Sequence, residues 1–196
     1  MAFPPIAALT VLVAGVITPG YDPMSRTVSR LAVPGMPAAA DVDVAISLIA
    51  FACVALALRL GPRMTTGRVA LAVSGIALTA ASLIHLDPAS GATTALHRIA
   101  SAVAVLGLTA AAFAVARDYG RISFLVGVFE LALLVIGLAL LATPFHAWGA
   151  WERCLLALPL VWMVWLAARL RRTAETMPST EETARASAAS FSSSGS

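Results

Sequence analysis

Long apolar runs separated by short polar segments dominate the pattern of hydrophobic and polar positions along the chain. Five runs hold about 20 residues each, the length that an α-helix needs to cross the hydrocarbon core of a bilayer. Glycine and proline, which stop helices, fall between the runs. The pattern predicts an all-α fold of antiparallel neighbouring helices. The five runs span residues 38–59, 68–86, 97–116, 121–143 and 149–170.

A shorter apolar run, residues 3–18, precedes these five. At about 1.5 Å per residue it reaches about 24 Å, less than the hydrocarbon core of about 30 Å. It can be interpreted as a signal peptide, as a helix that begins upstream of Met1, or as a short retained helix. The absence of a basic segment and a cleavage site argues against the signal peptide. We therefore expect a polytopic membrane protein with a six-helix transmembrane bundle over residues 1–172.

The connection after the first run is too polar to lie in lipid, and its start is rich in turn-forming residues. Apolar residues then follow at helical spacing, at Met24, Val28, Leu31 and Ala32. This spacing predicts a short amphipathic helix in the first extracytoplasmic loop, lying on the membrane surface above the bundle.

Composition supports the membrane assignment and excludes some chemistry. Of 196 residues, 60% are hydrophobic and 12% are charged, whereas soluble domains carry about 25% charged residues. The chain has no lysine, which excludes Schiff-base catalysis by a lysine amine. The net charge of +3 comes from arginines at the ends of apolar runs. Because membrane topology explains these positions, no nucleic-acid partner is expected.

The arginines also distinguish the two ends of the bundle. Eight lie in residues 59–68, 117–121 and 169–172, and four lie at the opposite end. The positive-inside rule places the arginine-rich end in the cytoplasm. We therefore expect a multi-pass protein of the cell membrane with both termini cytoplasmic. Residues 173–196, rich in Ser, Ala and Glu, are expected to form a disordered cytoplasmic tail.

Polar side chains gather at the extracytoplasmic end. Asp87 and His97 are the candidate catalytic pair, since a carboxylate can orient an imidazole that acts as a base. Ionisable groups at this depth are costly unless paired or hydrated, so we expect a shared cluster in which acidic residues offset Arg98 and Arg153. The candidate substrate-binding residues are Tyr21, Ser29, His85, Arg98, His146, Glu152 and Arg153.

No cofactor or metal site is predicted, but a divalent metal and haem stay open as alternatives. Asp87, His97 and His146 are suitable metal ligands, although their spacing matches no known signature. Two of the three histidines could hold one haem. Ser29 could also act as a nucleophile with His97 as base and Asp87 as its orienting group, although the Gly-x-Ser-x-Gly elbow is absent.

Four motifs stand in order along the chain: Tyr21-x-Pro23-x-x-x-Thr27-x-Ser29-x-Leu31, His85-Leu-Asp87-Pro88, His97, and Trp151-Glu152-Arg153. Together they resemble the DUF998 family of membrane proteins. The resemblance covers about residues 5–170 and implies a fold and a set of outer polar positions. It implies no reaction, because the function of the family is unknown. The family usually has an acidic residue after the loop serine, where this chain has Arg30.

The one-sided polar cluster suggests that the protein recognises a lipid or small amphiphile in an outward-facing pocket, with modification of that molecule as an extension. A proton-coupled transporter is one alternative, with Glu130 of the fifth helix as coupling group. Glu130 could instead pair with Arg68 or Arg117. A non-catalytic subunit of a membrane complex is the other alternative. Membrane lipids are the expected partners, and a membrane-protein partner or a homo-oligomer stays open.

Overall fold

A computed structural model of the chain describes residues 2–176, and within this range all regular secondary structure is helical. The all-α prediction is therefore confirmed for this part of the chain. The α-helices are α1 (Phe3–Ile17), α2 (Ala39–Arg59), α3 (Thr65–Leu83), α4 (Gly91–Tyr119), α5 (Arg121–Leu140) and α6 (Trp148–Thr176), with three-residue 3₁₀ helices at Val28–Arg30 and Pro62–Met64.

Five helices, α2 to α6, are long and apolar enough to cross a membrane. Helix α1 has 15 residues, and at 1.5 Å per residue it is about 22 Å long, shorter than a hydrocarbon core of about 30 Å. The chain is therefore a polytopic membrane protein whose first helix is too short to be assigned as a span by length alone.

Close backbone contact holds α2, α3 and α4 together. A Cβ atom added to Gly75 of α3 would lie 2.9 Å from the carbonyl oxygen of Ala50, and one added to Gly107 of α4 would lie 3.0 Å from that of Ala70. Small residues of this kind let membrane helices approach without side chains between them. Consecutive helices all pack together, and α6 returns to contact α1, α2 and α4.

The main core lies toward the arginine-rich end of the bundle. There Trp162, Met163 and Leu166 of α6 pack with Leu56 of α2 and other buried side chains. The indole Nε1 of Trp162 donates a hydrogen bond to Ser123 Oγ at 3.0 Å, so the polar tip of this buried ring is satisfied. The opposite end, which we call the capped end, is covered by residues 18–38.

Two helix boundaries differ by six residues from those expected from the sequence, and the others differ by three or fewer. Helix α4 begins at Gly91 rather than at residue 97, because Ser90 caps it and accepts a hydrogen bond from Thr93 N at 3.3 Å. His97 therefore lies two turns inside α4 and is only 3% exposed. Helix α6 extends to Thr176, so residues 173–176 are helical. The rest of the expected disordered tail, 177–196, lies outside the described residues.

The connection between α1 and α2 forms turns and the three-residue 3₁₀ helix Val28–Arg30 in place of the short amphipathic helix that its apolar spacing predicted. Val28, Leu31 and Ala32 are buried as that spacing suggested, whereas Met24 is 59% exposed. The difference has a physical cause, because several backbone groups of this segment bind side chains of α6 or Tyr21 rather than each other.

Candidate functional site

The start of α6 carries three consecutive residues, Trp151 to Arg153, that bind different parts of the protein. Successive residues of an α-helix point roughly 100° apart, since a turn holds 3.6 residues. Trp151 points toward α5, where its Nε1 donates to the carbonyl oxygen of Leu133 at 3.1 Å. Glu152 and Arg153 point instead toward the connection that covers the capped end.

Glu152 binds the hydrogen-bond donors of that connection. Its Oε2 accepts a hydrogen bond from the backbone N–H of Val28, and its Oε1 accepts one from Ser29 Oγ at 3.3 Å. Hydrogen bonds to an ionised carboxylate are shorter and stronger than neutral ones. The carboxylate therefore fixes the start of the 3₁₀ helix against α6.

Arg153 binds the acceptors of the same connection. Its Nη1 donates to the carbonyl oxygens of Pro23 at 2.6 Å and Arg26 at 3.3 Å, and to Gly149 O at 3.0 Å within α6. Its Nη2 donates to Tyr21 Oη at 2.7 Å, and the guanidinium carbon lies 5.6 Å from the centre of the Tyr21 ring. The planar fork of donors suits such divergent acceptors.

Tyr21 completes this arrangement, which we call the loop clamp: Tyr21, Glu152 and Arg153 holding residues 22–29. The Tyr21 hydroxyl donates to the carbonyl oxygens of Arg26 at 3.0 Å and Thr27 at 3.1 Å. Burial raises the pKa of Tyr21 above its usual 10.0, although Arg153 acts against that shift. The phenol therefore stays protonated, and able to donate, at neutral pH.

A cavity of about 290 Å³ lies beneath the loop clamp. Its polar side chains, Ser29, His97, Ser101 and Glu152, all belong to the capped end. From His97 to Leu108 the wall of α4 extends about 16 Å toward the other end at 1.5 Å per residue. The remainder of the wall is apolar and includes Val105, Leu108, Leu134, Leu155, Pro159 and Leu160.

His97 is held firmly by one ring nitrogen and has the other free. Its Nδ1 lies 2.6 Å from the carbonyl oxygen of Ile84 and 3.1 Å from that of Ala81, where α3 ends. Its Nε2 is buried and has no hydrogen-bond partner among the described residues. Since buried polar groups are normally paired, this nitrogen is a candidate contact for a ligand.

The predicted catalytic pair is not joined by a hydrogen bond in this structure. Asp87 lies in the turn between α3 and α4, where its Oδ1 accepts from Ala89 N at 2.8 Å. The Nδ1 of His97 is bonded to backbone carbonyls rather than to a carboxylate. The structure therefore brings Ser29 and His97 to one cavity, while Asp87 is absent from its lining.

Three other candidates lie apart from the cavity. His85 pairs with Asp43 of α2, with Nε2 and Oδ2 2.9 Å apart. Arg98 and His146 are exposed. Arg98 and Asp87 thus do not join Glu152 and Arg153 in the shared cluster that the sequence suggested. Asp43 is one of the polar residues that the sequence places at the extracytoplasmic end, but it was not among the candidate site residues.

Among the described residues, no group of three or more His, Cys, Asp or Glu side chains is arranged to hold a metal ion. Of the proposed metal and haem ligands, His97 is bonded to carbonyls, His85 to Asp43, and His146 is exposed. The metal and haem alternatives stay predictions from the sequence.

Glu130 lies in the middle of α5 and is completely buried. Neither of its carboxyl oxygens has a hydrogen-bond partner among the described residues, so the pairing with Arg68 or Arg117 is not formed here. Leu134, one turn along α5, lines the cavity, but Glu130 does not. The carboxyl group is thus separate from the polar groups of the capped end.

Comparison with known families covers nearly the whole helical region. A family described as "Protein of unknown function (DUF998)" matches residues 1–169. The chain belongs to the DUF998 family. Two of the segments whose motifs resemble the family, residues 21–31 and 151–153, meet in the loop clamp. Neither the curated proteins nor the solved structures that were compared give a match.

Proposed function

We propose that this DUF998 protein binds a lipid or small amphiphile in the cavity beneath the loop clamp. The polar group of the ligand lies at the capped end beside Ser29, His97 and Glu152, and its apolar chain extends between α4, α5 and α6. The observation that carries this proposal is the uneven lining of the cavity, with polar side chains at one end and apolar side chains along the rest.

The dimensions of the cavity support a small amphiphile over a large polar solute. Its volume of about 290 Å³ is at the lower end of the range of about 300–1,000 Å³ that is typical of small-ligand sites. Beyond Ser101 the α4 wall is apolar as far as Leu108, about 10 Å at 1.5 Å per residue, and this suits an alkyl chain. A polar solute would leave its own hydrogen-bonding groups unsatisfied against that wall.

The proposed orientation places the capped end outside the cell. The excess of arginine at the other end supports this under the positive-inside rule. With α1 as a sixth, short transmembrane helix, both termini are cytoplasmic. The bilayer adapts to this short helix by local thinning. The cavity then collects its ligand from the outer leaflet of the cell membrane.

A carrier coupled through Glu130 has less support than an amphiphile site. A proton path would need polar groups or room for water between the capped end and α5. The cavity wall nearest to Glu130 is formed by Leu134, and Leu108 and Pro159 line it as well. Glu130 itself has no exposed surface.

Native mass spectrometry of the protein released from lipid nanodiscs tests the proposal. We expect one bound alkyl-chain molecule per protein. Ala104, which lines the cavity and is 1% exposed, is replaced by Leu to fill the space. The matched control is Ala110→Leu, at an exposed position of the same helix. The adduct should disappear in the first variant and persist in the second.

Two results would contradict the proposal. One is the absence of any adduct from the unmodified protein in nanodiscs that contain a range of lipids. The other is an adduct of equal abundance in Ala104→Leu and Ala110→Leu, since this would place the bound molecule on the outer surface. Thermal unfolding of both variants checks that overpacking, which typically costs about 1–3 kcal/mol, has not unfolded the protein.

A further inference from the structure

The polar end of the cavity is selective in the kind of hydrogen bond that it offers. Glu152 has a carboxylate, which is an acceptor when ionised. Ser29 donates its hydroxyl to that carboxylate, so its proton is already used. His97 also lines the cavity, and the character of its buried Nε2 determines whether a ligand that reaches this nitrogen meets a donor or a second acceptor.

The surroundings of His97 define which ring nitrogen carries the proton. Nδ1 faces the carbonyl oxygens of Ile84 and Ala81, which can only accept. Nδ1 must therefore be the N–H donor, and in the neutral ring Nε2 is then an acceptor. A charged imidazolium would leave an Nε2–H group buried without an acceptor, which is costly in an apolar wall. His97 Nε2 and Glu152 thus both present acceptors to a ligand, and Ser101 is the lining side chain with a hydroxyl proton to donate.

The charges around the cavity argue against a charged head group. Glu152 has an adjacent cation, Arg153, whose guanidinium is occupied by Tyr21 and backbone carbonyls. The two formal charges offset each other, so an added charge would be buried without a counterion. A phosphate or carboxylate would also meet acceptors where it needs donors. A hydroxyl group is neutral and can donate.

We propose that the ligand is a neutral amphiphile with a hydroxyl head group, which donates its proton to Nε2 of His97 while its chain lies along α4. This inference rests on the proposed function and adds the chemical class of the ligand. Ser101 lies one turn from His97 and lines the same cavity. Its hydroxyl can donate to the oxygen of the ligand, so the ligand hydroxyl donates one hydrogen bond to His97 and accepts one from Ser101.

Competition among amphiphiles with the same chain tests this class. Binding of lauryl alcohol, dodecane, lauric acid, dodecyl phosphate and dodecylamine is measured on the intact protein in nanodiscs, with empty nanodiscs as background. Satisfying a buried acceptor is worth about 1.4 kcal/mol, so the alcohol should bind about tenfold more tightly than the hydrocarbon. The anions and the amine should bind more weakly than the alcohol.

Substitutions at position 97 test the role of the imidazole. His97→Leu replaces the imidazole with an apolar side chain that has no acceptor, so the alcohol and dodecane should bind about equally. His97→Gln can donate its amide N–H to the α3 carbonyls and offer its oxygen to the cavity, so it should regain part of the preference. Ser47→Leu, at an exposed position on α2, is the control and should keep the full preference.

The outcomes separate this inference from the function on which it rests. If all five dodecyl compounds bind with similar affinity, or if an anion or the amine binds more tightly than the alcohol, the hydroxyl assignment is wrong while the amphiphile site stands. If His97→Leu binds normally to alkyl chains and keeps the tenfold preference, His97 is not the acceptor. If no chain binds above the empty-nanodisc background, the amphiphile site itself is wrong.

Discussion

The loop clamp and the cavity beneath it share Ser29 and Glu152, yet they differ in how their polar groups are satisfied. In the clamp, the donors of residues 28–29 meet a carboxylate and the acceptors of residues 23–27 meet a guanidinium or a phenol. At the cavity, Nε2 of His97 is buried and has no hydrogen-bond partner within residues 2–176. A paired network of this kind rigidifies a structure, whereas an unpaired buried group costs stability unless a ligand binds it.

This difference assigns separate roles to neighbouring residues. The clamp residues hold the connection over the cavity, so their loss should first affect stability. Among the described residues, His97 makes its side-chain hydrogen bonds through Nδ1 and none through Nε2, so changes at Nε2 should first affect the ligand. Glu152 belongs to both regions, and it should show the larger structural effect because both of its oxygens are already bonded to the connection.

Removal of the Glu152 side chain should have the largest effect. Glu152→Ala leaves the N–H of Val28 and the hydroxyl of Ser29 without their acceptors, and hydrogen bonds to a charged group are worth about 1.5–3 kcal/mol each. We expect the free energy of unfolding to fall by about 3–5 kcal/mol on that basis. Denaturation by a graded mixture of detergents measures this loss.

Glu152→Gln is the matched control for that change. The amide keeps one acceptor oxygen of the same shape, so the loss should be about 1–2 kcal/mol. Protease cleavage within residues 22–29 should rise in the Ala variant and change little in the Gln variant. Equal unfolding curves for Glu152→Ala and the unmodified protein would contradict the clamp.

A methyl group at Gly149 should have the next largest effect. A Cβ atom there would collide with the carbonyl oxygens of Pro23 and Arg26, both of which bind Arg153. Gly149→Ala must therefore push the connection away from α6, and we expect a loss of about 1–3 kcal/mol, typical of overpacking.

Gly91→Ala provides a close comparison, since Gly91 also lies at the start of a helix at the capped end, in α4, but has open space around it. Its effect should stay within about 0.5 kcal/mol, as for most surface changes. Thermal unfolding of the two variants side by side separates the collision with the connection, which only Gly149→Ala makes, from the change in helix propensity that both variants share. Similar unfolding midpoints would show that the connection does not rest on Gly149.

The helical architecture could be predicted from the sequence because it depends on composition over long windows. A run of about 20 apolar residues forms a transmembrane helix that satisfies its own backbone hydrogen bonds, so its prediction does not depend on which helices pack beside it. Helix ends were less predictable, since the start of α4 depends on the single cap at Ser90. That shift moved His97 from a helix end to a buried position two turns inside.

The candidate site could be predicted only in part, because side-chain partners depend on how elements pack. The sequence identified Tyr21, Ser29, Glu152 and Arg153, and the structure brings them together although they are far apart in the chain. It did not indicate that these residues would bind each other's backbone, since carbonyl and amide groups carry no residue identity. For the same reason, the partner of His85 was not foreseen.

The Tyr21 hydroxyl should have the smallest effect of these three, and its effect should depend on pH. Tyr21→Phe removes the donor to the Arg26 and Thr27 carbonyls, a loss of about 1–2 kcal/mol. The pKa of Tyr21 is raised by burial, so its stabilisation is complete below pH 10 and is lost as the pH rises through the folded-state pKa. Tyr21→Phe should show a smaller alkaline loss than the unmodified protein, in which both tyrosines are present. Unfolding midpoints from pH 8 to about pH 11.5 measure the contrast, and parallel alkaline losses in Tyr21→Phe and the unmodified protein would place the titrating group elsewhere.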